Sequence, residues 1–95
     1  MVLCALCALK KIFREADHTH HLISGNGRRQ KSEKHNLKIP LCFECHERIH
    51  DNPDILIFSK YVGQMIFERD RVAAGRTKEE ARADFIKEFG KNYMW

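Results

Sequence analysis

An α+β fold is what this sequence predicts, and three observations carry the prediction. All four cysteines and all six histidines precede Asp51. Within that half, short extended segments flank a Gly-rich turn, whereas apolar residues recur at helical spacing only beyond it. The expected order is strand, loop, strand and helix in residues 1–51, followed by two C-terminal helices in residues 52–95, with the whole chain as one domain.

Residues 12–23 mix branched and polar types and run into Ser24-Gly25-Asn26-Gly27, so a strand entering a turn is expected. Arg28, Arg29, Lys31, Lys34 and Lys38 follow with only Glu33 to oppose them, the character of a phosphate-facing loop. Residues 37–41 form a second extended segment, and a helical turn begins at the second cysteine pair. Asn52 is placed to cap a helix that has Pro53 at its first position. Phe58, Tyr61, Val62, Met65, Ile66 and Val72 form its apolar stripe, and Gly75 its stop. Gly63 inside that stripe costs about 1 kcal/mol relative to alanine, which points to close packing there. Thr77-Lys78-Glu79-Glu80 has capping-box spacing, and Ala81, Phe85, Ile86 and Phe89 share one face of a last helix ending at Gly90. Tyr93 or Trp95 is expected to dock on the body or on a partner.

A chain of 95 residues lies near the size at which an apolar core alone supplies only about 3–5 kcal/mol, so a further brace is expected. The cysteines provide one, because Cys4 with Cys7 and Cys42 with Cys45 form two Cys-x-x-Cys pairs. Each two-residue gap lets a tight turn present two sulfurs to one ion. Two such knuckles make a closed tetrahedral zinc site, which is structural because no coordination position stays open. Reduced thiols imply a cytosolic setting. The apolar opening segment has no basic flank before it and soon meets Lys10 and Lys11, unlike a secretory leader. No stretch approaches the roughly 20 apolar residues of a membrane span. A soluble cytoplasmic protein without a membrane partner is therefore expected, and its formal charge of +4 favours a polyanionic one.

The histidines carry the functional expectation. His46 and His50 lie four apart, which puts both imidazoles on one helix face where they can share an ion. His20 and His21, at a strand end, can divide the work, one ring on metal and its neighbour acting as a base or holding a phosphate. Asp17 and His18 form another such pair, and either becomes a ligand if the register shifts. His35 is expected to face solvent or phosphate.

The string His20-His21-Leu22-Ile23-Ser24-Gly25-Asn26-Gly27, followed by Asn36-Leu37-Lys38-Ile39-Pro40-Leu41-Cys42-Phe43-Glu44-Cys45-His46-Glu47-Arg48-Ile49-His50, resembles the HNH endonuclease family over roughly residues 4–51. The tail from Phe85 to Tyr93 is more distantly similar to small phage-encoded members. The resemblance implies a ββα-metal core, commonly braced by a Cys4 zinc, and metal-dependent hydrolysis of DNA phosphodiester bonds. It makes His21 the general base, Asn36 the residue that orients the loop, and His46 a metal ligand. His20 occupies the first-ligand position, where many members carry aspartate. The His-His form, paired with His-x-x-x-His, is similar to the colicin-type nucleases and implies a three-histidine site of His20, His46 and His50. That site would take one divalent ion, Mg2+, Mn2+, Ni2+ or Zn2+.

Arg28, Arg29 and Lys31 are then expected to hold the DNA backbone, a salt-sensitive contact that reads little sequence. Targeting would fall to DNA structure or a partner protein. Two other readings compete: a non-catalytic zinc-dependent nucleic-acid-binding module, and a nuclease-derived protein-interaction domain that docks through its terminal aromatic residues.

Overall fold

A computed structural model describes residues 2–25 and 27–94. Met1, Asn26 and Trp95 fall outside the described residues, and with them the expectation for Trp95 and part of the Gly-rich turn. In chain order the elements are α1 (Ala5–Leu9), β1 (His18–His21), α2 (Arg28–Lys34), β2 (Lys38–Leu41), α3 (Phe43–Asp51), α4 (Pro53–Ala73) and α5 (Lys78–Phe89). The chain is thus a small α+β protein, with five helices and one two-stranded antiparallel sheet among the described residues.

The first strand is shorter than expected. Only His18–His21 pair with β2, in the register His18 to Leu41, Thr19 to Pro40, His20 to Ile39 and His21 to Lys38. Upstream, a single bridge joins Leu3 to Glu15. Pro40 lacks an N–H, a position tolerated only where a strand has a free edge, as in this two-stranded sheet. Period-two alternation turns His18 and His20 to one face, toward α3, and Thr19 and His21 to the other.

The basic segment expected as a loop is instead α2. It starts after Gly27 at φ 74° and closes on His35, with Asn36 in the left-handed region at φ 57°. Two of its cations serve packing. Arg28 Nε donates to Phe89 O at 3.2 Å and Lys31 Nζ to Glu88 O at 2.5 Å, satisfying carbonyls at the negative end of α5. His35, expected to face solvent or phosphate, meets Glu88 Oε2 at 2.7 Å.

Two apolar clusters share Ile39 as a neighbour. One gathers the four cysteines with Leu41 and Ile49; the other packs Leu22, Ile23 and Leu37 against Phe67, Phe85 and Phe89 of α4 and α5. Phe85 and Phe89 stack at 4.7 Å, and Phe67 stands edge-on to both. Tyr93 joins the second cluster, and its amide donates to the buried Gln64 at 2.7 Å, so the tail docks on the body as expected of Tyr93. The capping box of α5 forms in full, with Glu80 N–H donating to Thr77 Oγ1 at 3.1 Å and Thr77 N–H to Glu80 Oε1 at 3.0 Å. Asn52 behaves differently. It precedes Pro53 as expected, but its carbonyl receives Leu56 N–H while its side chain makes no capping bond.

Gly63 packs α4 tightly against Leu22 and Ile23, just beyond β1. A Cβ built there would lie 2.8 Å from Ile23 Cγ1 and 3.1 Å from Leu22 Cβ. Ile23 is fully buried, so its side chain has little room to shift. Gly63→Ala gains about 1 kcal/mol in helix propensity but incurs about 1–3 kcal/mol of overpacking. The expected result is a lower urea midpoint, and a higher one would disprove the close approach.

His35 and Lys34 hold the Glu88 carboxyl below its ordinary 4.5 against the opposing effect of burial. A carboxylate depressed in the folded state stabilises above its unfolded pKa and loses that contribution as pH falls through the folded value. Glu88→Gln should therefore destabilise by about 1 kcal/mol at pH 7. In melts recorded against pH, the gap to the wild type should shrink below about pH 4.5.

Candidate metal centre

Four thiols meet where α1, β2 and α3 converge. Cys4 caps α1 and accepts the N–H of Cys7 at 3.5 Å, while Cys42 precedes α3 and Cys45 lies in its first turn. Each pair is thus folded into the start of a helix, which is what a two-residue gap between ligands requires. Cys7 Sγ stands 3.8 Å from Cys42 Sγ and 3.7 Å from Cys45 Sγ. Sulfurs each about 2.3 Å from one tetrahedral ion stand roughly 3.8 Å apart, so these spacings fit zinc. All four cysteines are buried and free of disulfides, and the ligating atoms lie within 4.8 Å of one another. The four cysteines can hold a structural zinc.

The electrostatics prepare the thiols unevenly. The backbone amide of Cys45, with Arg14 near its sulfur, draws Cys42 down to about 6 in spite of burial, whereas burial pushes Cys45 up to about 12. Arg14, which sequence reasoning passed over, approaches Cys42 Sγ at 3.9 Å and pairs with Glu44 at 3.1 Å.

A second set of ligating atoms sits on the neighbouring face of α3. His46 and His50 project one turn apart, and their Nε2 atoms stand 3.1 Å apart. Nitrogens each about 2.1 Å from a shared ion lie roughly 3.0–3.4 Å apart, so this spacing also fits a metal. His20 enters from β1, its ring 5.3 Å from that of His46 and 5.5 Å from that of His50. Ligand atoms of the three histidines fall within 4.8 Å of one another. His20 is only 1% exposed, and its Nδ1 is buried without a hydrogen-bond partner among the described residues. Such an orphan is rare without a functional reason, and a cation would satisfy it. Burial, with His46, His50 and His21 around it, pushes His20 down to about 4; burial and the charges of His50, His18 and Arg29 also lower His46. Both rings are therefore mainly neutral near pH 7, the form that ligates metal.

The other expected residues distribute as follows. His18 is not among the three that converge; its Nδ1 meets His46 Nδ1 at 3.0 Å, on the side of that ring away from His50. His21 turns toward α2, where its Nε2 meets Glu33 Oε2 at 2.8 Å, and Lys38 pairs with the same carboxylate. Lys38, then His21, holds the Glu33 carboxyl below its ordinary range. Ionised, it can only accept, so Nε2–H is the donor in this pair, the tautomer in which a neutral ring carries its lone pair on Nδ1.

Asn36, expected to orient the loop, follows α2 in the left-handed conformation that asparagine adopts readily. Ser32 holds the loop: Ile23 N–H donates to its Oγ at 3.2 Å, and that hydroxyl donates to Ile23 O at 2.6 Å. Arg29 shares a hollow of about 140 Å³ with Thr19, Ser24 and the rings of His20, His21, His46 and His50. Arg28 and Lys31, expected beside it on DNA, point to α5. A roomier hollow of about 570 Å³ lies near Arg71 and Arg76. It is open, and its Arg76 and Asp84 already pair at 2.9 Å.

Comparison with protein-family models, curated proteins and solved structures finds no match for this chain. The functional reading therefore rests on the site itself. Sequence reasoning missed Glu33, although it is the one acid in a basic run, and Ser59, which touches His20 from α4. Among the described residues, no helix is long and apolar enough to cross a membrane.

Replacing a cysteine tests the first centre. Cys42→Ser should lower zinc content below one ion per chain and reduce thermal stability, and chelation of the wild type should do the same. Unchanged zinc and melting temperature in Cys42→Ser would rule out a site at these thiols.

Proposed function

We propose that this protein is a metal-dependent endonuclease that hydrolyses DNA phosphodiester bonds, with a site of the HNH ββα-metal kind that its sequence resembles. The observation that carries the reading is the gathering of His20, His46 and His50, with ligand atoms within 4.8 Å of one another, where His20 Nδ1 is buried without a partner among the described residues and His21 lines the same hollow. A closed thiolate centre supports the scaffold, and a separate histidine centre open to a hollow suits chemistry.

In this reading His20, His46 and His50 hold one divalent ion, which when bound neutralises charge developing on the phosphate and on the departing oxygen. His21 is the general base. Glu33 accepts from its Nε2–H and so fixes the tautomer that leaves Nδ1 free to take a proton from water, as an acid partner does in other histidine-based sites. The water oxygen forms a bond to phosphorus, its proton passes to His21 Nδ1, and the bond from phosphorus to the 3′ oxygen breaks, that oxygen taking a proton from solvent to leave as a hydroxyl. Arg29, exposed at the rim, pairs with a backbone phosphate and gives little sequence preference. Arg28 and Lys31 contribute less than their position in a basic run suggests, because α5 engages them.

A supercoiled-plasmid nicking assay with added Mg2+, Mn2+, Ni2+ or Zn2+ tests the reading. Cleavage should require the ion and stop on chelation. His21→Ala should lose about 10²–10⁴-fold in rate with its zinc and melting temperature retained. Wild-type-like cutting by His21→Ala would remove His21 as the base. DNA binding without cleavage under any of the four ions would favour a non-catalytic nucleic-acid-binding module instead.

A further inference from the structure

We infer that Ser59, on α4, is a positioning residue that fixes the tautomer of His20 and so presents its Nδ1 as a metal ligand. The inference deepens the reading above and rests on it for the identity of the three-histidine centre. Its own basis is a hydrogen-bond chain with a single consistent polarity. Ser59 Oγ lies 2.9 Å from Leu22 O and 2.8 Å from His20 Nε2. A carbonyl oxygen only accepts, so the one hydroxyl proton of Ser59 goes to Leu22. Its oxygen can then only accept from the ring, which places the ring proton on Nε2 and leaves a lone pair on Nδ1. That is the atom that is buried without a partner among the described residues, on a ring whose ligand atom lies within 4.8 Å of those of His46 and His50.

Ser59 is itself 7% exposed, so water competes little for either bond. The arrangement is independent of the sheet that carries His20: the bond to the ring spans 39 residues and comes from a helix that supplies none of the three ligands. Partners of this kind orient a ligating imidazole and set which nitrogen it offers, and their loss typically lowers metal affinity about 10–100-fold. The α4 helix would thus contribute to ion affinity as well as to the core.

The test titrates the full chain, with zinc already on its cysteines, with further Zn2+ and follows heat and stoichiometry. The wild type should bind one more ion. Ser59→Ala should bind it about 10–100-fold more weakly, Ser59→Thr within a few-fold of the wild type, and all three should retain the cysteine-bound zinc. Long-range ¹⁵N–¹H spectra of the wild type should show His20 as the Nε2–H tautomer before and after the second ion is added. Equal affinity in Ser59→Ala, with only a lower melting temperature, would overturn the inference and leave Ser59 as packing. An Nδ1–H tautomer in the wild type would overturn it even if Ser59→Ala failed to fold. Absence of a second ion in the wild type would overturn the three-histidine centre first, and this inference with it.

Discussion

The convergence of four sulfurs is the constraint on which the rest of the structure depends. Cys4 and Cys7 belong to α1, Cys42 ends the link from β2, and Cys45 lies in the first turn of α3. Bringing these atoms to one point fixes the direction in which α3 leaves the sheet. The same helix carries Cys45 and Ile49 on its inner face and His46 and His50 beside them, so that direction also decides where the imidazoles stand. The antiparallel register then delivers His20 opposite Ile39. Ionised sulfurs gathered without a cation would repel one another in a buried place, which links ion uptake to folding in a chain with two small apolar clusters.

How much of this was legible in the sequence follows from the span of each interaction. The cysteine pairs, the paired helix histidines, the capping box and the Pro53 start are codes written within four residues, and each was read in place. Spacing alone showed the three converging histidines as separate strings, and only the family resemblance joined them into one set; their gathering depends on sheet register and on the angle of α3. What went unread reaches further: Glu33 to His21 across 12 residues, Ser59 to His20 across 39, His35 to Glu88 across 53. A serine in an apolar helical stripe, or a glutamate among lysines, has no local pattern that reveals a partner so distant. Asn36 carries a second, local signal: it stands in the left-handed region just after α2, a conformation that asparagine adopts readily.

The basic segment shows why charge counted along a chain is a poor map of charge at a surface. Arg28 and Lys31 cover carbonyls at the end of α5, Lys34 pairs with Glu88, and Lys38 pairs with Glu33. A run of cations that looked free is largely absorbed in joining α2 to its neighbours, and Arg29 is the member that reaches the histidine hollow. Periodicity might have warned of this, but seven residues without an apolar face give helical pattern analysis little to detect.

The missing side chain at Gly63 acts as a spacing gauge for the whole site. Gly63 and Ser59 stand one turn apart on α4, and both address the same short stretch, Leu22 and Ile23. The helix can lie close enough for a short hydroxyl to reach the Leu22 carbonyl and the His20 ring because nothing protrudes one turn later. A residue with no chemistry of its own thereby sets the tolerance to which the His20 imidazole is aimed, so drift at this position would register as lost precision in the histidine cluster before it registered as lost fold.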